Sequence, residues 1–470
     1  MNRIGLVRSA CLVCVLTASV SGPVRAAEPS EGLLTTAVGG SRGGSASSLP
    51  VSRVPATPLT LRQCIEIALA NNPQVAQRRW DAQVAEAQRD VAAAQRWPSL
   101  EAVGGYRRYL DDQRLVAARK PSEVGTWSSD IFSGDLVVSM PLFAGGRIVN
   151  EIRAADLASL AARHQLARTR SEVVFNVSSA FYTILGQKSV IESLEFSQKT
   201  LQEHARCVTD LIAVQKAAAV DLLRTEVRLA DVEQKLVSAR NRLAVQHRVL
   251  AALMGIPDAG DGLEVSGSLT LEPVDVEGDP IELALARRDD LGAARAEVEA
   301  QARRLQAARG ARWPSVSLSG SYGERWAAGD VTRQPGSSES EDVGSVGVSV
   351  TLPLFEGGRI SAAIRRERAR LASAREALRK AELQVRLDVQ TALLNMESSR
   401  ERVRSTEKAI EQARESLRIE REKYELGKGS ITDVLDAQSA LLDAETTHAL
   451  ALADYNISVA QYWLAVGEEK

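Results

Sequence analysis

One octapeptide occurs twice in this chain, in matching surroundings. It reads PLFAGGRI from Pro141 to Ile148 and PLFEGGRI from Pro353 to Ile360, 212 residues later. An alternating run of apolar and small polar residues precedes each copy, and a long Arg- and Ala-rich helical pattern follows it. Proline lacks a backbone donor and ends strand pairing, while paired glycines reach conformations closed to other residues. The stretch therefore predicts a strand that stops and a helix that starts, at Pro141, Gly145 and Gly146 and again at Pro353, Gly357 and Gly358.

The repeat extends well beyond this motif. IEIALANNP at Ile65–Pro73 answers to IELALARRD at Ile281–Asp289, and Arg96-Trp97-Pro98-Ser99 to Arg312-Trp313-Pro314-Ser315, at an offset of 216. From the octapeptide onward the offset is 212, and Asp221, Leu223 and Asp231 align with Asp433, Leu435 and Asp443. The chain is thus an internal duplication with a first copy over 59–256, a linker over 257–279, a second copy over 280–467 and a short tail over 468–470. Within the first copy, Pro73 is expected to break the helical pattern and the Trp97-Pro98-Ser99 end to close it. Residues 1–26 read as a removed signal peptide: Arg3 and Arg8, a short apolar run and a small-residue cleavage site. Residues 27–58, rich in Gly, Ser, Pro and Thr, read as a flexible arm.

Composition narrows the function. A formal charge of −2 lends no support to nucleic-acid binding, and 4% aromatic residues is low for a large enzyme core. His164, His204, His247 and His448 are scattered without metal-ligand spacing. No nucleophile motif or dinucleotide fingerprint appears, and the GG pairs lack the third glycine and the Lys-Ser/Thr of a phosphate loop. No enzyme activity, cofactor or metal is expected. Cys11 and Cys14 lack the pattern of a lipid anchor, and Cys64 and Cys207 are expected to stay unlinked.

Strands and helices make opposite demands. Val346, Val348, Val350 and Leu352 share one face of a strand whose other face is Ser345, Gly347, Ser349 and Thr351; about ten residues of such alternation is the pattern of a membrane β-barrel. An amphipathic strand of a soluble sandwich shows the same alternation. The signal peptide and the count of strands favour the barrel: four strands leave two edges, open edges cannot face lipid, and three copies would give twelve strands. In the helices, Ile364, Leu371, Leu378, Val385 and Ala392 recur at seven-residue steps, answering to Ile152, Ser159, Leu166, Val173 and Ala180, a coiled-coil period. The pattern from Arg359 to Leu426 would run about 100 Å. A structural coiled-coil envelope protein would explain the helices without the strands.

LTLRQCIEIALANNP, the two WPS ends, the two octapeptides and YELGKGSITDVLDAQSALL at Tyr424–Leu442 together resemble the outer-membrane efflux proteins of the TolC family. The resemblance spans Leu59 to Gly467. It implies an α+β membrane protein: a homotrimer with a 12-stranded transmembrane β-barrel in outer-membrane lipid, continued by a long periplasmic α-helical coiled-coil barrel. Its implied partners are a periplasmic adaptor and an inner-membrane transporter, ATP- or proton-driven. The octapeptides would be barrel-to-helix junctions, with Arg147 and Arg359 near the membrane boundary.

The resemblance also places an entrance at the helix tips. In the second copy the turn holds Gly427, Gly429 and Ser430, where an adaptor would dock. Asp433 and Asp436 follow, and in a trimer they would form two stacked carboxylate rings that exclude anions and bind cations. The plainer reading is that both only start and solvate a helix. The first-copy turn, Ile212–Val220, has no glycine but keeps Asp221. A basic clamp residue of some relatives aligns with Gly429, and Lys428 stands beside it, so a latch of Tyr424, Lys428 and Asp221 is in question. The expected function is the outer-membrane duct of a tripartite export system, leaning slightly to type I secretion of a protein such as a toxin, with small-molecule efflux as the alternative.

Overall fold

The computed structural model describes residues 58–215, 218–256, 263–272, 274 and 278–468. The signal peptide and all of the arm but Pro58 lie outside the described residues. Two short helices come first, α1 (Leu61–Asn71) and α2 (Pro73–Ala94), then strands β1 (Ser99–Arg114) and β2 (Thr126–Ala144). The long α3 (Arg147–Ala213) and α4 (Ala219–Leu253) follow. The order then recurs as α5 (Pro280–Arg287), α6 (Asp289–Gly310), β3 (Ser315–Arg333), β4 (Ser340–Thr351), α7 (Arg359–Glu425) and α8 (Ile431–Val466).

The breaks between the short helices show how matching sites are built from different residues. Asn72 caps α2 through its side-chain oxygen, with Pro73 at the first helical turn, where its missing N–H costs nothing. The Asn72 amide also donates to the Leu253 carbonyl at 2.8 Å, tying α2 to the end of α4. At the corresponding place Arg288 stands at the N-cap position of α6 without a side-chain cap bond, its side chain 3% exposed. It pairs with Asp290 at 2.6 Å and with Asp388 of α7 at 3.0 Å, and reaches the Ala465 carbonyl of α8 at 3.4 Å. A buried guanidinium needs several acceptors, and here three helices supply them.

The four strands form one antiparallel sheet in the order β1-β2-β3-β4. They are longer than the ten residues expected, and the central pairing, β2 with β3, joins the two copies. Register assembles two distinct faces. On one lie Leu100, Phe132, Leu136, Trp326, Val346 and Val348, largely exposed. On the other, Ser99 meets Ser139 at 2.8 Å, Ser317 meets Ser349 at 2.7 Å, Ser321 meets Ser345 at 3.0 Å, and Arg325 pairs with Asp135. Val103, Ile131, Val137 and Val343 are among the apolar exceptions on this polar face. The Trp326 ring lies over Gly134, where an added Cβ would meet it at 3.1 Å. Neither face is covered by a helix core, and the outer edges of β1 and β4 have no strand partner among the described residues.

Burial in the long helices follows the seven-residue step. Val173, Ala180, Gln187, Leu194, Leu201 and Val208 are all buried along α3, as are Ile364, Leu371, Val385, Ala392 and Ser399 along α7. Between the copies, the described part of 257–279 is not a loose connection. Leu263 and Val265 are buried, Leu59 and Val265 form a parallel bridge, and Lys188 donates to the Val265 carbonyl at 2.8 Å. The Tyr455 hydroxyl donates to the Glu272 carbonyl, strapping the segment to α8.

Candidate functional site

The strand-to-helix junctions differ more than their sequences do. Gly145 and Gly146 have φ of 59° and 75°, and Gly357 and Gly358 of 58° and 86°, all in the left-handed region that glycine tolerates best. Beside Gly145 the end of α6 comes close: a Cβ there would sit 2.2 Å from the Gly310 carbonyl oxygen and 2.8 Å from the Trp313 Cβ. Beside Gly357 and Gly358 nothing lies within 4 Å. Pro353 lies two residues beyond the end of β4 at Thr351, but Pro141 does not end pairing. The ladder with β3 continues to Ala144 through an irregularity between Pro141 and Phe143, because β3 supplies a partner strand beyond the proline. Each arginine of the octapeptide is held by a local carboxylate, Arg147 by Glu151 at 3.2 Å and Arg359 by Glu356.

At the opposite end lie the helix tips. Gly427, with φ of 70°, closes α7, and its N–H donates to the Tyr424 carbonyl at 2.9 Å. Gly429 passes so near α7 that a Cβ would meet Lys423 Cβ at 3.0 Å. Ser430 caps α8, accepting from the Thr432 N–H at 3.2 Å, while Asp433 accepts from the Ser430 N–H at 3.4 Å. Asp433 therefore completes a capping box with Ser430. In the first-copy turn the missing glycine is replaced by Gln215, which takes φ of 60° itself.

Of the latch residues, Tyr424 and Asp221 influence one another, while the Lys428 side chain pairs with neither among the described residues. Tyr424 is partly buried, its ring 6.0 Å from that of His204. Burial, and then the charge of Asp221, push its phenol pKa upward. Lys428 is exposed and makes no ion pair among the described residues. Asp221 lies 4.0 Å from Arg224, a contact within its own helix.

The basic residues that do meet the second-copy tip come from α4. Arg224 donates to the Thr432 hydroxyl at 3.0 Å, and Arg228 to the Asp436 carboxylate at 2.8 Å, both across a separation of 208 residues. Two turns further on, Lys235 lies between Asp231 at 3.3 Å and Asp443 at 4.0 Å. These contacts flank a cleft of about 570 Å³ floored by Leu223, Val227 and Leu435. Arg228 was not among the sequence-derived site residues. One signal was available: at the 212 offset Asp436 answers to Arg224, so the first tip carries a base where the second carries an acid.

Sequence comparison decides the family. The profile described as "Outer membrane efflux protein" matches residues 64–256 and 281–468. The chain belongs to the outer membrane efflux protein family. Among relatives, it is 27% identical to outer membrane protein OprJ of Pseudomonas aeruginosa, over 86% of this chain and 84% of that one. It is 25% identical to outer membrane protein TolC of Vibrio cholerae, over 80% and 86%. The pyoverdine export outer membrane protein OpmQ of Pseudomonas putida is 27% identical over 86% and 84%. The fold is shared with a membrane protein from Pseudomonas aeruginosa, at a TM-score of 0.75, 24% identity and coverage of 87% and 93%. It is also shared with VceC from Vibrio cholerae, at 0.73, 21%, 87% and 96%. Members of this family are ducts that work with an adaptor and an inner-membrane transporter, and this protein resides in the Gram-negative outer membrane with its helical body in the periplasm.

Proposed function

We propose that three copies close into one channel, a 12-stranded barrel continued by a helical duct, which passes small molecules outward from an inner-membrane transporter and its adaptor. The observation that carries this is the sheet. Its two open edges would be stable in neither water nor lipid, and its exposed apolar face is unfavourable in water; a ring of copies set in a bilayer would close the edges and cover the face. The apolar face would meet lipid, and the small, serine-rich face would line the lumen.

The duplication supports the way copies would meet. On the face of α6 that packs on α3, Ala293, Ala296, Ala300 and Ala307 are buried. Their counterparts on α2 include Trp80, Val84 and Val91, exposed by 60%, 55% and 67%. The next copy's α7 stands to α2 as α3 stands to α6, and its β4 edge to β1 as β2 stands to β3. In this arrangement the junction at Gly357, open in the single chain, faces the neighbour.

For cargo, the lean towards protein export rests on sequence features alone. Two relatives have names that carry a cargo, the pyoverdine export protein OpmQ and the fusaric acid resistance protein FusA, and both point to small molecules. Two measurements test the reading. Light scattering of the detergent-extracted chain should return three times the protomer mass, and a monomer would refute the ring. Deleting the gene should raise accumulation of small toxic dyes; unchanged dye handling with a protein missing from the medium would reverse the cargo assignment.

A further inference from the structure

The two-ring expectation counts Asp433 and Asp436 as free carboxylates. In the folded chain they differ. Asp433 accepts only a backbone N–H at its own helix start and has no cationic partner among the described residues. Asp436 is held at 2.8 Å by Arg228 from another helix. The arrangement is not one loose rotamer, because Arg224 bonds Thr432 one turn nearer the tip in the same register, and Lys235 faces Asp443 two turns beyond.

We infer that Arg228 is a specificity-determining residue: it cancels the charge of Asp436, so that Asp433 alone supplies an uncompensated acidic ring at the tips. This rests on the reading that the tips line the pore. An isolated carboxylate acts on a passing ion as a charge, whereas a carboxylate with a guanidinium 2.8 Å away acts as a dipole, whose field fades much faster with distance. At the level of Asp436 itself the pair with Arg228 is neutral: Arg224, one turn nearer the tip, has Asp221 at 4.0 Å, and the net negative group of Lys235 with Asp231 and Asp443 lies two turns further from the tip. The second copy offers no equivalent of Arg228, since its aligned residue is Ala440.

The test is single-channel recording of the full chain in planar bilayers, reading the cation/anion permeability ratio and block by a trivalent hexammine cation. Wild type should be weakly cation-selective. Arg228→Ala should raise the ratio about threefold or more and tighten the trivalent block by a similar or larger factor, since on the pore reading each freed carboxylate would again act as a full charge over about a Debye length. Arg228→Lys should keep wild-type selectivity, which a purely structural role for the guanidinium would not predict. Asp436→Asn should leave an unpaired arginine and lower the ratio. If Arg228→Ala leaves selectivity unchanged while Asp433→Asn and Asp436→Asn alter it, Arg228 does not neutralise the pair and the inference fails with the pore reading intact. If none of the four variants shifts selectivity in a conducting channel, the tips do not line the pore and both fail. Arg228→Gln serves as the neutral variant if alanine impairs assembly on semi-native gels.

Discussion

Replacing Arg288 by alanine should destabilise the chain at neutral pH and do so less as the medium is acidified. In the intact protein the guanidinium, 3% exposed, serves Asp290, Asp388 and the Ala465 carbonyl. Burial opposes ionisation of Asp290, and the hydrogen bonds and charge of Arg288 outweigh it, so its pKa lies below the usual carboxylate range. A depressed pKa contributes stability that is present above the unfolded value, near 3.9, and lost as pH falls through the folded value. The wild-type contribution is therefore intact at pH 7 and at pH 4.5. In Arg288→Ala the burial remains and the main partner is gone, so the Asp290 pKa moves up, above its unfolded value. The charged form is then the destabilised one, and protonation relieves it.

Breaking a fully buried pair costs about 3–5 kcal/mol, and since both carboxylates are about a third exposed we expect about 2–4 kcal/mol at pH 7. Thermal melts of the detergent-solubilised chain, followed by circular dichroism at both pH values, give the comparison. The gap between wild type and variant should shrink by about half at pH 4.5 as the freed Asp290 carboxylate protonates. A gap that stays constant or widens on acidification would refute the assignment of the cost to uncompensated carboxylates.

Four further outcomes follow from named residues. Gly145→Ala should cost more than the roughly 1–2 kcal/mol of left-handed strain alone, because its Cβ meets the Gly310 carbonyl; a variant assembling like wild type would contradict this, and valines at Gly145-Gly146 or Gly357-Gly358 should cut assembly on semi-native gels without changing cargo preference. Asn72→Ala, which loses a helix cap and the tie to Leu253, should lower stability by about 1–2 kcal/mol, read as a lower midpoint in chemical denaturation. Burial raises the Cys64 thiol to about 11, whereas Cys207 is exposed; titration with a thiol reagent at pH 8 should label Cys207 at once and Cys64 only after unfolding.

Local chemistry was legible in the sequence and non-local pairing was not. The octapeptide announced a strand followed by a helix, and the seven-residue step from Val173 onward appears as continuous burial. Nothing local could say that β2 would pair with β3 across the copies, since alternation fixes which side chains share a face but not which strand lies beside them. The same limit explains Pro141, whose ladder continues only because β3 is there. Residues 263–272 looked like a linker by composition, yet a few apolar residues, Leu263 and Val265, suffice to seat them on the helices. At the tips, Asp433 and Asp436 read as a pair from spacing on one helix; the partner of Asp436 comes from α4, and a seven-residue period within one helix carries no information about that.

The register between α4 and α8 has a mechanical consequence. Side chains that face one another are 208 residues apart, while residues that are equivalent by duplication are 212 apart. The two parallel helices are thus offset by four residues, about 6 Å along their axes. Asp221 and Asp433 occupy the same place in their repeats but different heights in the molecule. The first-copy turn, built around Gln215, projects one helical turn past the glycine turn of the second copy. The end of the duct is stepped, and anything approaching it from below touches the glycine-free turn first.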